Sequence, residues 1–405
     1  MSSRRAAALA ATVVAIGLIA SLVLSGPPTR APREGIRASV SVVEALGAVP
    51  TGYARAEGPR EFTFPADHGP HPAFRTEWWY YTGHLRARDG REFGFQLTFF
   101  RTALTPAPAR RESPWAAHQL YMAHFALTDV RGGRFLAFGR SGRGALGLAG
   151  ARAEPFRVWV DDWAAEGEPG RPLATGDAHL ASGSARTAMR LRAAEADAGI
   201  DLALDATRPP AFPGERGWSR KGPEPGNASF YYSLTRLSAR GTVQAGAERV
   251  EVEGQAWMDR EWSSNALAAD LVGWDWFALQ LDDGRDLMLY RLRRPDGSAS
   301  PWSGGILVDP DGRTSTLGAQ DVVVDVTRAW TSPRSGVRYP AGWRLRWAPA
   351  DLTLDLTPRV PDQELDVGVR YWEGAVTVVG RQAGRAVAGL GYVELVGYGE
   401  RRPRP

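Results

Sequence analysis

From residue 60 onward the apolar residues recur every second position rather than every third or fourth. Phe93, Phe95, Leu97 and Phe99 alternate with Gly94, Gln96 and Thr98, which puts them on one face of a strand. Asp89-Gly90 precedes this run and His84–Arg88 lies before it, the signature of a β-hairpin. The same pattern returns around Gly132-Gly133, Asp283-Gly284, Asp309–Gly312 and Gly380–Gly384. Ala188–Ala198 has a helix-like composition, but Met189, Leu191 and Ala193 alternate and so do Ile200, Leu202 and Leu204. We read it as another hairpin. The expected fold class is therefore all-β, with antiparallel sheets forming sandwiches or barrels. Residues 206–228 carry Pro209-Pro210, Pro213-Gly214, Gly222-Pro223 and Pro225-Gly226 and are read as a long, irregular, functional break.

The N-terminus follows a different rule. Arg4 and Arg5 precede the uncharged run Ala6–Leu24, and Ser25-Gly26-Pro27-Pro28 ends it. This is the pattern of a signal peptide in residues 1–25, with an uncleaved anchor as the alternative. Either places the body of the chain outside the cytoplasm, periplasmic or extracellular, and tethered to the inner membrane in the uncleaved case. Residues 26–58 lack a sustained period and read as a flexible linker. The 405-residue length suggests more than one domain. We expect a boundary near 240–250, giving domains at 59–245 and 246–400.

Composition narrows the chemistry. The chain has no cysteine, which excludes disulfides, thiolate metal sites and a thiol nucleophile. Of 49 basic residues one is lysine, Lys221, and the rest are arginine; this reads as genome bias rather than as phosphate binding. The net charge of +4 falls to +2 without residues 1–25 (47 − 45). No clustered basic face suggests nucleic acid. A Gly-x-Ser-x-Gly elbow is absent, and Gly142-Arg143-Gly144-Ala145-Leu146-Gly147 lacks the following helix that a dinucleotide site needs.

Two aromatic–acidic strands stand out. In Glu77-Trp78-Trp79-Tyr80-Tyr81, alternation puts Glu77, Trp79 and Tyr81 on one face, and Trp78 and Tyr80 on the other. In Trp257-Met258-Asp259-Arg260-Glu261-Trp262, it puts Trp257, Asp259 and Glu261 together. Neighbouring carboxyls walled by indoles repel each other and lose hydration, and both effects raise a pKa. The competing reading is that Arg260, Arg236 or another arginine neutralises each acid. His68, His71, His118 and His124 could serve a mononuclear metal, but no compact ligand spacing is present, and hydrogen-bonded histidines are the plainer reading.

Several blocks together resemble a known family. Phe64–His71 (FPADHGPH), Thr76–Gly83, His118–Asp129 (HQLYMAHFALTD), Ser219–Ser233 (SRKGPEPGNASFYYS), Trp257–Trp262, Gly273–Arg293, Trp330–Pro333, Tyr371–Gly374 and Gly391–Leu395 carry the likeness. It is to the carotenoid 1,2-hydratase-like, "predicted secreted hydrolase" family, over about residues 60–400. The resemblance implies two lipocalin-like antiparallel β domains, an apolar isoprenoid or lipid ligand, and no cofactor. It also implies an acid role for Asp259, whose Asp-Arg-Glu-Trp context is closer to the secreted members than to the hydratases.

The leading expectation is acid-assisted hydration of an apolar ligand by Asp259, with Glu261 or Glu77 accepting a proton. Trp78, Trp79, Tyr81, His124, Tyr232, Trp257, Trp262, Trp274 and Trp276 are the candidate ligand contacts. A non-enzymatic lipid carrier serving a cell-envelope transport system is the second reading, and a metal-assisted hydrolase using the histidines the third. Neither a resident metal nor nucleic acid is expected as a partner.

Overall fold

The computed structural model describes residues 51–107, 113, 115–168, 188–265, 267–268 and 270–399. The segment expected to be a signal peptide or anchor, most of the expected linker and His179 lie outside the described residues. The rest is all-β, with two 3-10 turns and no α-helix among the described residues.

A first sheet of 12 strands uses β1 (Thr76–Ala87), β2 (Glu92–Ala103), β3 (Gln119–Asp129), β4 (Arg134–Arg143), β5 (Ala149–Arg152), β6 (Arg157–Val160), β7 (Trp163–Gly167), β8 (Ala188–Glu195), β9 (Ala198–Ala206), β10 (Trp218–Arg220), β11 (Ala228–Ala245) and β12 (Glu248–Ser263). A second sheet of 10 strands uses β13 (Gly273–Leu281), β14 (Asp286–Arg293), β15 (Gly304–Val308), β16 (Thr314–Gly318), β17 (Val323–Thr331), β18 (Arg338–Trp347), β19 (Leu352–Pro358), β20 (Glu364–Asp366), β21 (Arg370–Gln382) and β22 (Arg385–Val396). All pairings are antiparallel, and each sheet curls into a near-barrel, the lipocalin-like fold expected. β8 and β9 pair as the hairpin that alternation required. The 206–228 segment is less irregular than expected, because β10 pairs with β11 and Ala211 bridges to Ser233. The division expected near residue 245 falls in the β11–β12 turn, within the first sheet. The chain changes sheet between Ser263 and Gly273.

Each sheet is drawn together by its first and last strands. β1 pairs with β12, Tyr80 opposite Asp259, and β13 pairs with β22, Trp276 opposite Glu394. The interior of the first curl is filled by Trp79, Tyr81, Trp163, Tyr232 and Trp262, and that of the second by Trp343 and Trp372. Because the side-chain period is two, the alternate residues of β1, β11, β12, β13, β21 and β22 point out of these cores toward the other sheet. Tyr80, Tyr231, Trp257, Trp276, Ala375 and Tyr392 meet there as a third cluster. Inter-sheet hydrogen bonds include Tyr80 Oη to Glu373 Oε1 at 2.6 Å and Gln280 Nε2 to the Thr235 and Ala256 carbonyls at 2.7 and 3.0 Å.

Gly254, in the middle of β12, lies so close to β1 that a Cβ on it would meet the His84 carbonyl oxygen at 1.9 Å. Backbone cannot swing aside as a side chain can. Gly254→Ala should therefore lower the urea-unfolding free energy by about 1–3 kcal/mol. Gly58→Ala, with nothing within 4 Å of its Cβ, should stay within about 0.5 kcal/mol of wild type. Equal effects of the two substitutions would refute the close approach of β12 to β1.

Candidate functional site

Between the sheets lies a cavity of about 150 Å³ lined by Trp78, Tyr80, Phe100, Met122, His124, Lys221, Tyr231, Asp259, Glu261, Trp274, Trp276, Tyr290, Tyr371 and Glu394, among others. Its walls come from β1, β2, β3, β11, β12, β13, β14, β21 and β22 and from the segment after β10.

Asp259 is buried, 3% exposed, and neither Arg260 nor Arg236 pairs with it. Its partners are neutral donors. Ser233 Oγ and Trp257 Nε1 donate to Oδ1 at 2.6 and 2.7 Å, and the Tyr231 hydroxyl lies 2.5 Å from Oδ2. Trp276 Nε1 donates in turn to Tyr231 Oη at 3.2 Å. Burial pushes the Asp259 carboxyl up to about 7, with a further upward push from Glu261 and partial opposition from the three donors. When Asp259 is protonated on Oδ2, Tyr231 Oη can accept that proton's hydrogen bond, so the network serves both charge states.

A second acid of the same kind comes from β22. Burial raises Glu394 to about 7, helped by Asp259 and Glu261 and opposed by a hydrogen bond from Trp274 Nε1. Glu394 stands opposite Glu373 of β21. Glu373 is itself buried and held well above the ordinary carboxylate range by burial and by Glu394. Glu261 has a cation, Lys221, whose Nζ lies 3.5 Å from its Oε1. Across the cavity His124 Nδ1 lies 2.8 Å from Tyr371 Oη, and burial lowers its pKa to about 4, leaving it neutral.

Glu77 behaves in the opposite way. Its carboxylate is buried on the first-sheet side of β1, bonded to Arg101 Nε and Arg260 Nη2 and to the His71 amide at 3.0–3.1 Å. The two guanidinium groups outweigh desolvation and hold it well below the usual carboxylate range. It is a fixed anion with its lone pairs occupied, which leaves it no capacity for the proton-accepting role expected of it. His71 stacks on Trp262 at 3.7 Å and bonds Asp67 at 2.9 Å, and His68 Nδ1 lies 2.6 Å from Tyr232 Oη. His118 immediately precedes β3, its carbonyl accepting from the Leu104 amide at 2.9 Å. Among the described residues, no three His, Asp or Glu side chains are grouped to hold a metal ion.

The structure thus brings together Asp259, Glu261, Trp78, His124, Trp274 and Trp276 around the cavity, with Trp257 behind Asp259; Glu77 also borders it, its carboxylate engaged by Arg101 and Arg260. Trp79, Tyr81, Tyr232 and Trp262 lie on the opposite face, in the first core, and cannot touch a ligand in the cavity. Period two separates Trp79 from Trp78 and Trp262 from Glu261, so their exclusion follows from parity. Glu394, Lys221, Tyr231, Ser233 and Tyr371 were not among the expected site residues. Glu394 alternates out of phase with Val393 and Leu395, a signal that only the β13–β22 pairing turns into a location.

A profile described as AttH-like matches residues 55–398. The chain belongs to the AttH-like family. The crystal structure of a putative AttH from Nitrosomonas europaea is 36% identical, covers 85% of this chain and 99% of its own, and superposes with a TM-score of 0.73. Kievitone hydratase from Nectria haematococca shares the fold at 16% identity, with 87% and 98% coverage and a TM-score of 0.63. No curated protein matches the chain significantly. The AttH-like fold is thus one that a hydratase also uses.

The two kinds of acid have opposite pH signatures. Asp259, raised from 3.8 to about 7, keeps a proton in the folded protein that the unfolded chain has released, so its contribution to stability falls as pH rises across that window. Glu77, being depressed, contributes stability above its ordinary value of 4.5 that is lost as pH falls. Asp259→Asn, which can keep the Tyr231 hydrogen bond, should gain on wild type as urea unfolding is repeated from below 3.8 to above about 7. A constant difference across that range would sink the burial account. Glu77→Gln leaves two buried guanidinium groups undercompensated and should cost about 3–5 kcal/mol near neutral pH; a loss under about 1 kcal/mol, typical of an exposed pair, would contradict the assignment.

Proposed function

We propose that the chain binds one end of an apolar molecule in the cavity between its sheets and adds water across a carbon–carbon double bond there. The observation that carries this reading is the pair Asp259 and Glu394, two buried carboxyls raised to about 7 that face one cavity with aromatic walls. Groups with pKa values near the working pH are the ones that exchange protons efficiently. Near neutrality one can be protonated while the other is ionised.

Protonated Asp259 gives its proton to one alkene carbon. The electron-poor carbon beside it faces the rings of Trp274, Trp276 and Tyr80, whose quadrupoles favour positive charge. A water oxygen bonds to that carbon, and the surplus proton passes to ionised Glu394. Glu394 then releases its proton to solvent and Asp259 takes one up, so the net change is the addition of one water. Glu394 replaces Glu77 as acceptor because Glu77 is clamped by Arg101 and Arg260, and takes precedence over Glu261 because Glu261 holds Lys221. The fold shared with kievitone hydratase supports the reaction class. The charged and apolar N-terminal pattern supports an exported setting.

Extraction of apolar compounds from the purified wild-type protein and from Asp259→Asn, followed by mass spectrometry, tests the reading. The variant should yield an unsaturated molecule and wild type the same molecule plus one water. Recovery of an identical compound from both would make the protein a carrier and retire hydration. Recovery of nothing apolar from either would retire ligand binding as well.

A further inference from the structure

Lys221 is the only lysine of the chain, and it lines the cavity. It directly follows β10, and its amide donates to the Asn227 carbonyl at 2.9 Å, closing the turn that presents it. Its side chain is 8% exposed. An ammonium offers three N–H donors, yet among the described residues its surroundings supply one carboxylate oxygen, Glu261 Oε1, at 3.5 Å, and two ring faces, Tyr290 at 4.0 Å and Tyr231 at 5.5 Å. Glu261 Oε1 has no shorter hydrogen bond of its own. A buried cation served this sparsely costs free energy that a ligand acceptor would recover.

The surroundings also select the acceptor. Asp259, Glu261 and Glu394 line the same cavity, and its other cation, Arg101, is already paired with Glu77, so a carboxylate or phosphate would be repelled, whereas a neutral oxygen would not. A lysine supplies a compact point donor, in contrast to the planar fork by which arginine grips a carboxylate. We propose that Lys221, oriented by Glu261, is the seat for a carbonyl oxygen, so the molecule bound in the cavity is a ketone or aldehyde rather than a plain hydrocarbon. This rests on the reading of the cavity as an apolar-ligand site and narrows its substrate class.

Acetophenone and ethylbenzene make a matched pair of probes, alike in shape and differing in the carbonyl. A cavity near 150 Å³ is of the size that takes one ring. By isothermal titration calorimetry on the full chain, acetophenone should bind at least about tenfold more tightly, the worth of a hydrogen bond from a charged donor. Lys221→Met should cut that advantage below about threefold. The double variant Lys221→Met/Glu261→Gln should do the same, and it removes both buried charges should the single variant fail to fold. Equal affinity of wild type for the two probes, or an undiminished preference in the variants, would overturn the Lys221 assignment while leaving the cavity reading in place. Failure of wild type to bind either probe would overturn both.

Discussion

Glu77 of β1 is held between Arg101 of β2 and Arg260 of β12, so one buried carboxylate ties three adjacent strands together. The tie fixes more than stability. Side chains alternate across a sheet, and a one-residue slip of β12 against β1 would send Arg260 into the cavity and Asp259 into the first core. With Arg260 committed to Glu77, its guanidinium stacked 3.9 Å from the Trp79 ring, the neighbours on either side of it, Asp259 and Glu261, must face the second sheet. The ion cluster on one face of β12 thereby determines the acid on the other.

That separation accounts for the contrast between Glu77 and Asp259 on the two faces of one sheet. Glu77 and Asp67 have guanidinium partners and are held low. Asp259, Glu394 and Glu373 have hydroxyl and indole donors and are held high. Neutral donors stabilise an ionised carboxylate without repaying the whole of its desolvation. They also fix the direction of the group, as Ser233 and Trp257 fix Oδ1 while Oδ2 remains with Tyr231. The two guanidinium groups that hold Glu77 low have no counterpart at Asp259, which leaves it able to carry a proton near neutral pH.

Much of this was legible in the residues. Period-two alternation called for an all-β chain, resolved Ala188–Ala198 as strand and put Trp257, Asp259 and Glu261 on one face. Which face was the cavity face could not be read, because both faces of β1 and β12 carry aromatics. Trp79, Tyr81, Tyr232 and Trp262 consequently counted as ligand contacts although they fill the first core. Glu394 was out of reach for another reason. It joins Asp259 only through the β13–β22 pairing and the packing of one sheet on the other, contacts more than a hundred residues apart in sequence. Lys221 was discounted as one exception in an arginine-rich composition, and its position became informative only when the β10–β11 turn set it over the cavity.

The location of the cavity follows from how the two curls are filled. A curled sheet of this kind can keep a ligand inside or fill its interior with side chains. Here Trp79, Trp163 and Trp262 occupy one interior and Trp343 and Trp372 the other, all nearly inaccessible. The free space is displaced to the seam, where the outer faces of the two curled sheets, with large and small side chains, leave a gap. A seam cavity draws its chemistry from both sheets, Asp259 from the first and Glu394 from the second, so neither half alone carries the acid pair. It is also small. A volume near 150 Å³ admits a ring or a single branched unit, so a longer apolar molecule must enter by one end and leave its remainder outside. On the proposed reading selectivity resides in that end, where the acids, the aromatic rings and the lysine are gathered.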